Sequence, residues 1–213
     1  MRMTLERQPV DYKSLDERVG PSSPVLLVSA IDIISGMAEN FDSRNGGIDI
    51  DALLASTAVP PVIRAAHVKG GVYWDALFCQ DPPIRELGRL KPDEIWVIKI
   101  TPHRRGDDPK TDGDIMDRRN ELSGNVALHE DLYMLEKINE LVEELGEEEN
   151  GEAQPLALPG SGNEYRHIEV RIIEMYDEIH QELDFASKAD RNPLFIRELM
   201  DYGEERTEEF LKG

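Results

Sequence analysis

Apolar and polar positions fall into short separated blocks, and the period inside each block predicts its backbone. Residues 1–23 are polar, carry Pro9 and Pro21, and follow neither the helical nor the strand period, which predicts a poorly ordered extension. At Val25 the run VLLVSAIDII begins, and its apolar character predicts a buried strand over 25–34. IDIDALLASTA at 48–58 spaces its apolar residues helically and stops before Pro60-Pro61, predicting a short helix followed by extended chain. Residues 62–68 and 72–74 flank Gly70-Gly71, the signature of a tight hairpin.

Further on, Pro92-Asp93 leads into EIWVIKI at 94–100, whose near-continuous apolar run predicts a strand covered on both faces, as in α/β sheets. After a polar loop, 111–145 predicts a long helix with Leu128, Leu132, Leu135, Ile138, Val142 and Leu145 on one core-facing stripe. Residues 147–162 are acidic, then rich in Gly and Pro, and read as a surface loop. HIEVRIIEM at 167–175 predicts another strand, and Asn192-Pro193 supplies an N-cap and a first-turn proline for a last helix reaching Leu211. Strands interleaved with helices make the fold class α/β.

Composition narrows what such a fold can bind. The net charge of −20 makes a self-repelling surface that disfavours phosphate backbones and anionic membranes, so nucleic acid is excluded as a partner. Arginines outnumber lysines 16 to 8. Acidic excess with few lysines suits a salt-rich cytoplasm, although a merely acidic protein has the same composition. Cys79 is the only cysteine, which rules out an internal disulfide and fits a reducing compartment. The N-terminus lacks an apolar leader, and the apolar stretch at 24–31 is too short to span a bilayer, so a soluble cytoplasmic chain is expected.

One carboxylate stands out chemically. Asp75 follows Tyr73-Trp74 and precedes Ala76-Leu77-Phe78, and apolar surroundings raise a carboxyl pKa unless a hydrogen-bond partner compensates. Such an acid serves either chemistry or the capping of a turn after a strand, and spacing alone leaves both readings open.

The segments around it carry a resemblance. ASTAVPP stands before the hairpin, GGVYWDALFCQDPPIREL runs through Asp75, PDEIWVIKI forms the next strand, DIMDRRNELSGN leads the long helix, and ASKADRNPLFIRELMDYG lies near the end. In this order they resemble the patatin-like phospholipase family over residues 25–211, nearly the whole chain. In that family a serine in G-x-S-x-G attacks an acyl ester and an aspartate in D-G-[GA] is its proton acceptor; Asp75 stands at that aspartate, with Trp74, Ala76 and Leu77 as motif neighbours. The resemblance implies a lipid acyl hydrolase, without cofactor, on the C-terminal part of a three-layer fold in which helices flank a mixed sheet. It assigns 24–213 to a partial domain, with the sheet and the aspartate in 24–102 and the helical and strand region in 111–213. Two positions depart from the family. Ala76 replaces the usual Gly, where a positive φ would strain a Cβ, and Asp81 replaces a common Asn, adding charge near the motif.

The other half of the dyad is absent from these residues. None of the serines (14, 22, 23, 29, 35, 43, 56, 123, 161 and 187) has glycine at both the second position before and the second after it, so there is no nucleophile elbow. The adjacent pairs Gly46-Gly47 and Gly70-Gly71 do not open a helix after a strand, so no oxyanion segment is found either. The expected arrangement is a separate stretch of polypeptide supplying the nucleophile for a lipid or ester substrate, with the chain alone inactive. The alternatives are a catalytically silent binding or assembly protein, or a truncated fragment of the hydrolase.

Remaining constellations add little. His67, His103, His129, His167 and His180 lack H-E-x-x-H spacing, and Asp107, Asp108, Asp112 and Asp114 miss the spacing of a calcium loop, so the acids read as a solvated turn and no metal is expected. GSGNEY at Gly160 lacks the strand and spacing of a phosphate-cradling loop.

Overall fold

A computed structural model describes residues 11, 23–60, 62–79, 82–101, 103–146, 148–149, 152–153, 155–157, 164–175, 179, 183, 187 and 190–212. The expected N-terminal extension lies outside the described residues apart from Asp11 and Ser23, as does Asp81. The chain divides into two compact units, Met1–Arg85 and Glu86–Gly213, and mixes helices with antiparallel and parallel strands, the α/β class expected from its sequence.

The first unit is built on an antiparallel sheet of β1 (Leu27–Asp32), β2 (Ala38–Asp42), β3 (Ala66–Val68) and β4 (Gly71–Asp75), in the order β2-β1-β4-β3. Strand β1 turns into β2 because Asp32 Oδ1 accepts from Ile34 N at 2.8 Å and Ser35 N at 3.0 Å, folding the chain back through Gly36. The β3–β4 hairpin turns at Lys69-Gly70, one residue before the expected Gly-Gly pair. Both residues have positive φ, 48° and 91°, as a type I′ turn requires.

Alternation puts Val28 and Ala30 of β1, Phe41 of β2, Ala66 and Val68 of β3 and Tyr73 of β4 on one face. That face and Ile48, Ala52 and Ala55 form the apolar core, with Phe41 edge-on to Tyr73 at 5.6 Å. Helix α1 (Ile50–Ala55) supplies the two alanines, small enough for it to lie close against the sheet. Its first turn is capped by Asp49, whose Oδ1 accepts from Ala52 N at 2.8 Å.

Helix α2 (Ile84–Arg89) leads to β5 (Glu94–Lys99), which begins the second unit's parallel pair with β10 (Glu169–Glu174), in register from Glu94↔Glu169 to Lys99↔Glu174. Helix α3 (Asp112–Leu145) starts with a reciprocal capping box between Thr111 and Asp114 and runs for 34 residues. Asn139 on α3 grips the residue before β10, donating to Ile168 O at 2.9 Å and accepting from Ile168 N at 3.0 Å. Two short hairpins follow α3, pairing β6 (Glu148–Glu149) with β7 (Glu152–Ala153) and β8 (Leu156–Ala157) with β9 (Glu164–Tyr165).

Helix α4 (Pro193–Lys212) opens as expected, with Asn192 Oδ1 accepting from Leu194 N at 3.0 Å. It lies across the other face of the pair: Phe210 meets Trp96 edge-on at 5.1 Å, and Arg206 Nε donates to Glu174 O at 3.0 Å.

Two expectations about burial need correction. Strand β5 is not covered on both faces among the described residues. Ile95, Val97 and Lys99 are buried, but Trp96 and Ile98 on the opposite face are 50% and 72% exposed, because α4 is bonded along β10, through Arg171 and Glu174, and meets β5 at Trp96. The helical stripe also differs. Leu128, Leu135 and Val142 are buried and Leu132 and Ile138 half-buried, whereas Leu145, in the last turn, is exposed.

Candidate functional site

Asp75 closes strand β4, directly opposite Ala30 of β1, and its backbone N–H donates to Ala58 O at 3.2 Å just beyond α1. Alternation turns its side chain to the same face as Tyr73 and Ala30, where it is half-buried at the end of the core. The compensating partner expected for a carboxylate among apolar residues is present: Leu77 N donates to Asp75 Oδ1 at 2.8 Å. Asp75 thereby caps a single 3-10 turn, Ala76–Phe78, which turns the chain away from the strand and fixes the direction of the carboxylate.

Trp74 and Leu77 are half-buried, and Ala76 is buried at 3% exposure. The strain feared at Ala76 is absent. Positive φ among non-glycine residues is confined, in the described chain, to Lys69 and Lys91, so a Cβ at position 76 sits in ordinary right-handed backbone.

Hydroxyls near this strand end have other work. Ser29 adjoins Ala30 but points to the opposite face, where its Oγ donates to Asn40 Oδ1 at 2.6 Å. Ser56 and Thr57, beside Ala58, donate to the carbonyls of Leu53 and Leu54 at the end of α1. A carboxylate at this strand end can bind and orient a hydroxyl, and opening an ester takes an oxygen nucleophile in addition.

The second unit holds a polar cluster that sequence reasoning missed. Arg105 forks between two carboxylates of α3, donating to Glu121 at 2.7 and 2.9 Å and to Asp117 at 2.6 Å. Arg118 adds a second cation to Glu121 at 3.3 Å and ties down the loop by donating to His103 O at 3.0 Å. The hydrogen bonds that Arg105 donates to Glu121 and then to Asp117 push its pKa further up, so this guanidinium is permanently charged.

At the carboxyl end of the parallel pair, buried Lys99 donates to Glu174 at 2.5 Å, and Thr101 Oγ1 donates to Asn125 at 3.4 Å. His103 and His129 stack at 5.1 Å. Burial, helped by the charges of Lys99 and His103, holds the His129 pKa below the ordinary value, so its neutral form is favoured. The available signal was phase: Asp117, Glu121 and Asn125 repeat every four residues and run into Leu128, the start of the apolar stripe.

The aspartates at 107, 108 and 112 are exposed, as a solvated turn requires, while Asp114 is taken up by the capping box, whose hydrogen bonds lower its pKa. Among the described residues no group of three or more His, Cys, Asp or Glu is arranged to hold a metal, and no helix is long and apolar enough to cross a membrane. Comparison with protein-family models, curated proteins and solved structures finds no match to this chain.

Proposed function

We propose that the chain is the aspartate-bearing part of a patatin-like lipid acyl hydrolase of the cytoplasm, acting on carboxylic esters of lipids. The observation that carries the reading is the half-buried Asp75 carboxylate, held at a strand end by Leu77 N–H, together with the ordered series of motifs around it. Asp75 accepts the hydroxyl proton of a serine supplied by polypeptide outside residues 1–213. The serine oxygen attacks the ester carbonyl, the alcohol leaves with the proton, and water then releases the acyl group. A second reading has one observation in its favour. The hydrogen bond that orients Asp75 is also a sufficient structural reason for an aspartate there, as in a silent binding or assembly protein.

Asn at position 75 keeps the acceptor for Leu77 N–H and removes the base, which separates the two readings. The polypeptide extended upstream through its in-frame coding sequence is expected to hydrolyse a short-chain chromogenic ester, and Asp75→Asn should cost about 10²–10⁴-fold in rate at unchanged melting temperature. Hydrolysis indifferent to Asp75→Asn, or no hydrolysis by the extended polypeptide, refutes the proposal. Residues 1–213 alone are expected to give no turnover, and steady turnover dependent on Asp75 would refute the need for an outside serine.

A further inference from the structure

Helix α3 carries apolar side chains on two opposite faces. One face is buried through Leu128, Leu135 and Val142. At about 100° per residue, Ile115, Leu122, Val126 and Tyr133 line up within roughly 40° of one another, about half a turn from that buried face. They are 51%, 47%, 56% and 61% exposed. Scattered apolar residues on a surface are ordinary, but an aligned row about 27 Å long is not. Its steps of seven, four and seven residues are those of a seam between two helices.

The charges flanking the row say which helix fits. Arg119 borders its first half, and Glu130, Glu136 and Glu140 its second, with Lys137 already paired to Glu140 at 2.5 Å, whereas Arg118 is engaged by Glu121 and His103 O. Two such rows laid parallel would set arginine against arginine and glutamate against glutamate. Laid antiparallel, each half meets its complement.

We infer that the exposed row of α3 is the contact between two copies of this chain, antiparallel, with the twofold axis passing between Leu122 and Val126. In this arrangement Leu122 meets Val126 of the second copy and Ile115 meets Tyr133 of the second copy, while Arg119 reaches Glu130 of the second copy and pairs charge with charge. The contact buries on the order of 1,000 Å² in all, at the lower limit for a specific interface, so the dimer dissociates in the micromolar range. The net charge of −20 on each copy opposes association, and salt relieves that repulsion. The inference is independent of ester hydrolysis.

The test is sedimentation of the whole chain in about 1 M KCl, where the screening length is about 3 Å. A concentration-dependent monomer–dimer equilibrium is expected. Val126→Glu, at an exposed position that leaves the core intact, should raise the dissociation constant more than about tenfold. Arg119→Glu should weaken the dimer, and adding Glu130→Arg should restore it. In a Cys79→Ala background, Leu122→Cys combined with Val126→Cys should cross-link the dimer on mild oxidation. Ile115→Cys should not, because its two copies lie about 27 Å apart. A chain that stays monomeric up to about 100 µM, about a hundredfold above a micromolar dissociation constant, overturns the inference. So does a dimer that survives Val126→Glu, which would assign the contact to another surface such as the open edge of β5.

Discussion

Removing the guanidinium of Arg105 tests whether the charged cluster under α3 is a structural core or a solvated surface. The Glu121 and Asp117 side chains are 3% and 8% exposed, and that of Arg105 is 18% exposed. Arg105→Met keeps the aliphatic stem and takes the guanidinium from two carboxylates that water barely reaches, leaving Glu121 to Arg118. Breaking a buried pair from one side costs about 3–5 kcal/mol, because the desolvated charge remains after its partner has gone. An exposed pair behaves otherwise. Lys212 and Glu208 are 73% and 62% exposed, and Lys212→Met should cost under about 1 kcal/mol.

Trp96 lies in the same unit as the cluster, so urea unfolding followed by its fluorescence in a Trp74→Phe background reads that unit alone. A third variant separates charge from packing. Arg105→Met with Asp117→Leu and Glu121→Met removes the stranded charges and should recover most of the loss, while Arg118 keeps its bond to His103 O. If Arg105→Met lies within about 1 kcal/mol of the parent, the carboxylates are hydrated and the reasoning fails.

Two further outcomes are expected. The folded-state pKa of His129 is lowered by burial and by the charges of Lys99 and His103, against a smaller opposing effect of Glu174. Its stabilising contribution is therefore present above the unfolded value of about 6.5 and is lost as the pH falls through the folded value. The urea midpoint read by Trp96 should drop on acidification through that window, and a drop of equal size in His129→Gln would rule this origin out. Gly70→Ala should destabilise the first unit by about 1 kcal/mol, since φ is 91° while a Cβ would meet nothing within 4 Å, leaving backbone strain as the sole cost. An unchanged thermal midpoint would show that the turn relaxes.

Local signals with a backbone mechanism were legible in the sequence. The Asn192 cap marked the start of α4, because a side chain that satisfies a helical N–H has to stand at a fixed position. The hairpin was found but placed one residue late, since Lys69 takes a left-handed conformation that a Gly-Gly pair seemed to claim. Strand β2 was overlooked altogether. AENFD has one apolar inward residue, Phe41, and its pairing is imposed by the turn at Asp32 and Gly36 rather than by its own period. At Asp75 the position was legible and the partner was not, because Leu77 N–H comes from a 3-10 turn that leaves no hydrophobic period to read.

The errors on α3 share one cause. A hydrophobic period assumes that burial selects apolar side chains, so it found Leu128 to Val142 and stopped where the same face turned polar at Asn125 and Glu121. Glu121 and, one turn earlier, Asp117 are buried because Arg105, from a loop with no periodic signal, neutralises them from outside the helix, while Asn125 accepts from Thr101. The same assumption hid the opposite row, since Ile115, Leu122, Val126 and Tyr133 are apolar yet exposed within their own unit. A helix that buries acids and exposes aliphatics reverses the ordinary partition at each face, and each reversal needs a separate partner. For the acids the partner is an arginine already in place. For the aliphatics it has to come from another surface, and the sign change of the flanking charges midway along the row is what makes a second, antiparallel copy of the same helix fit.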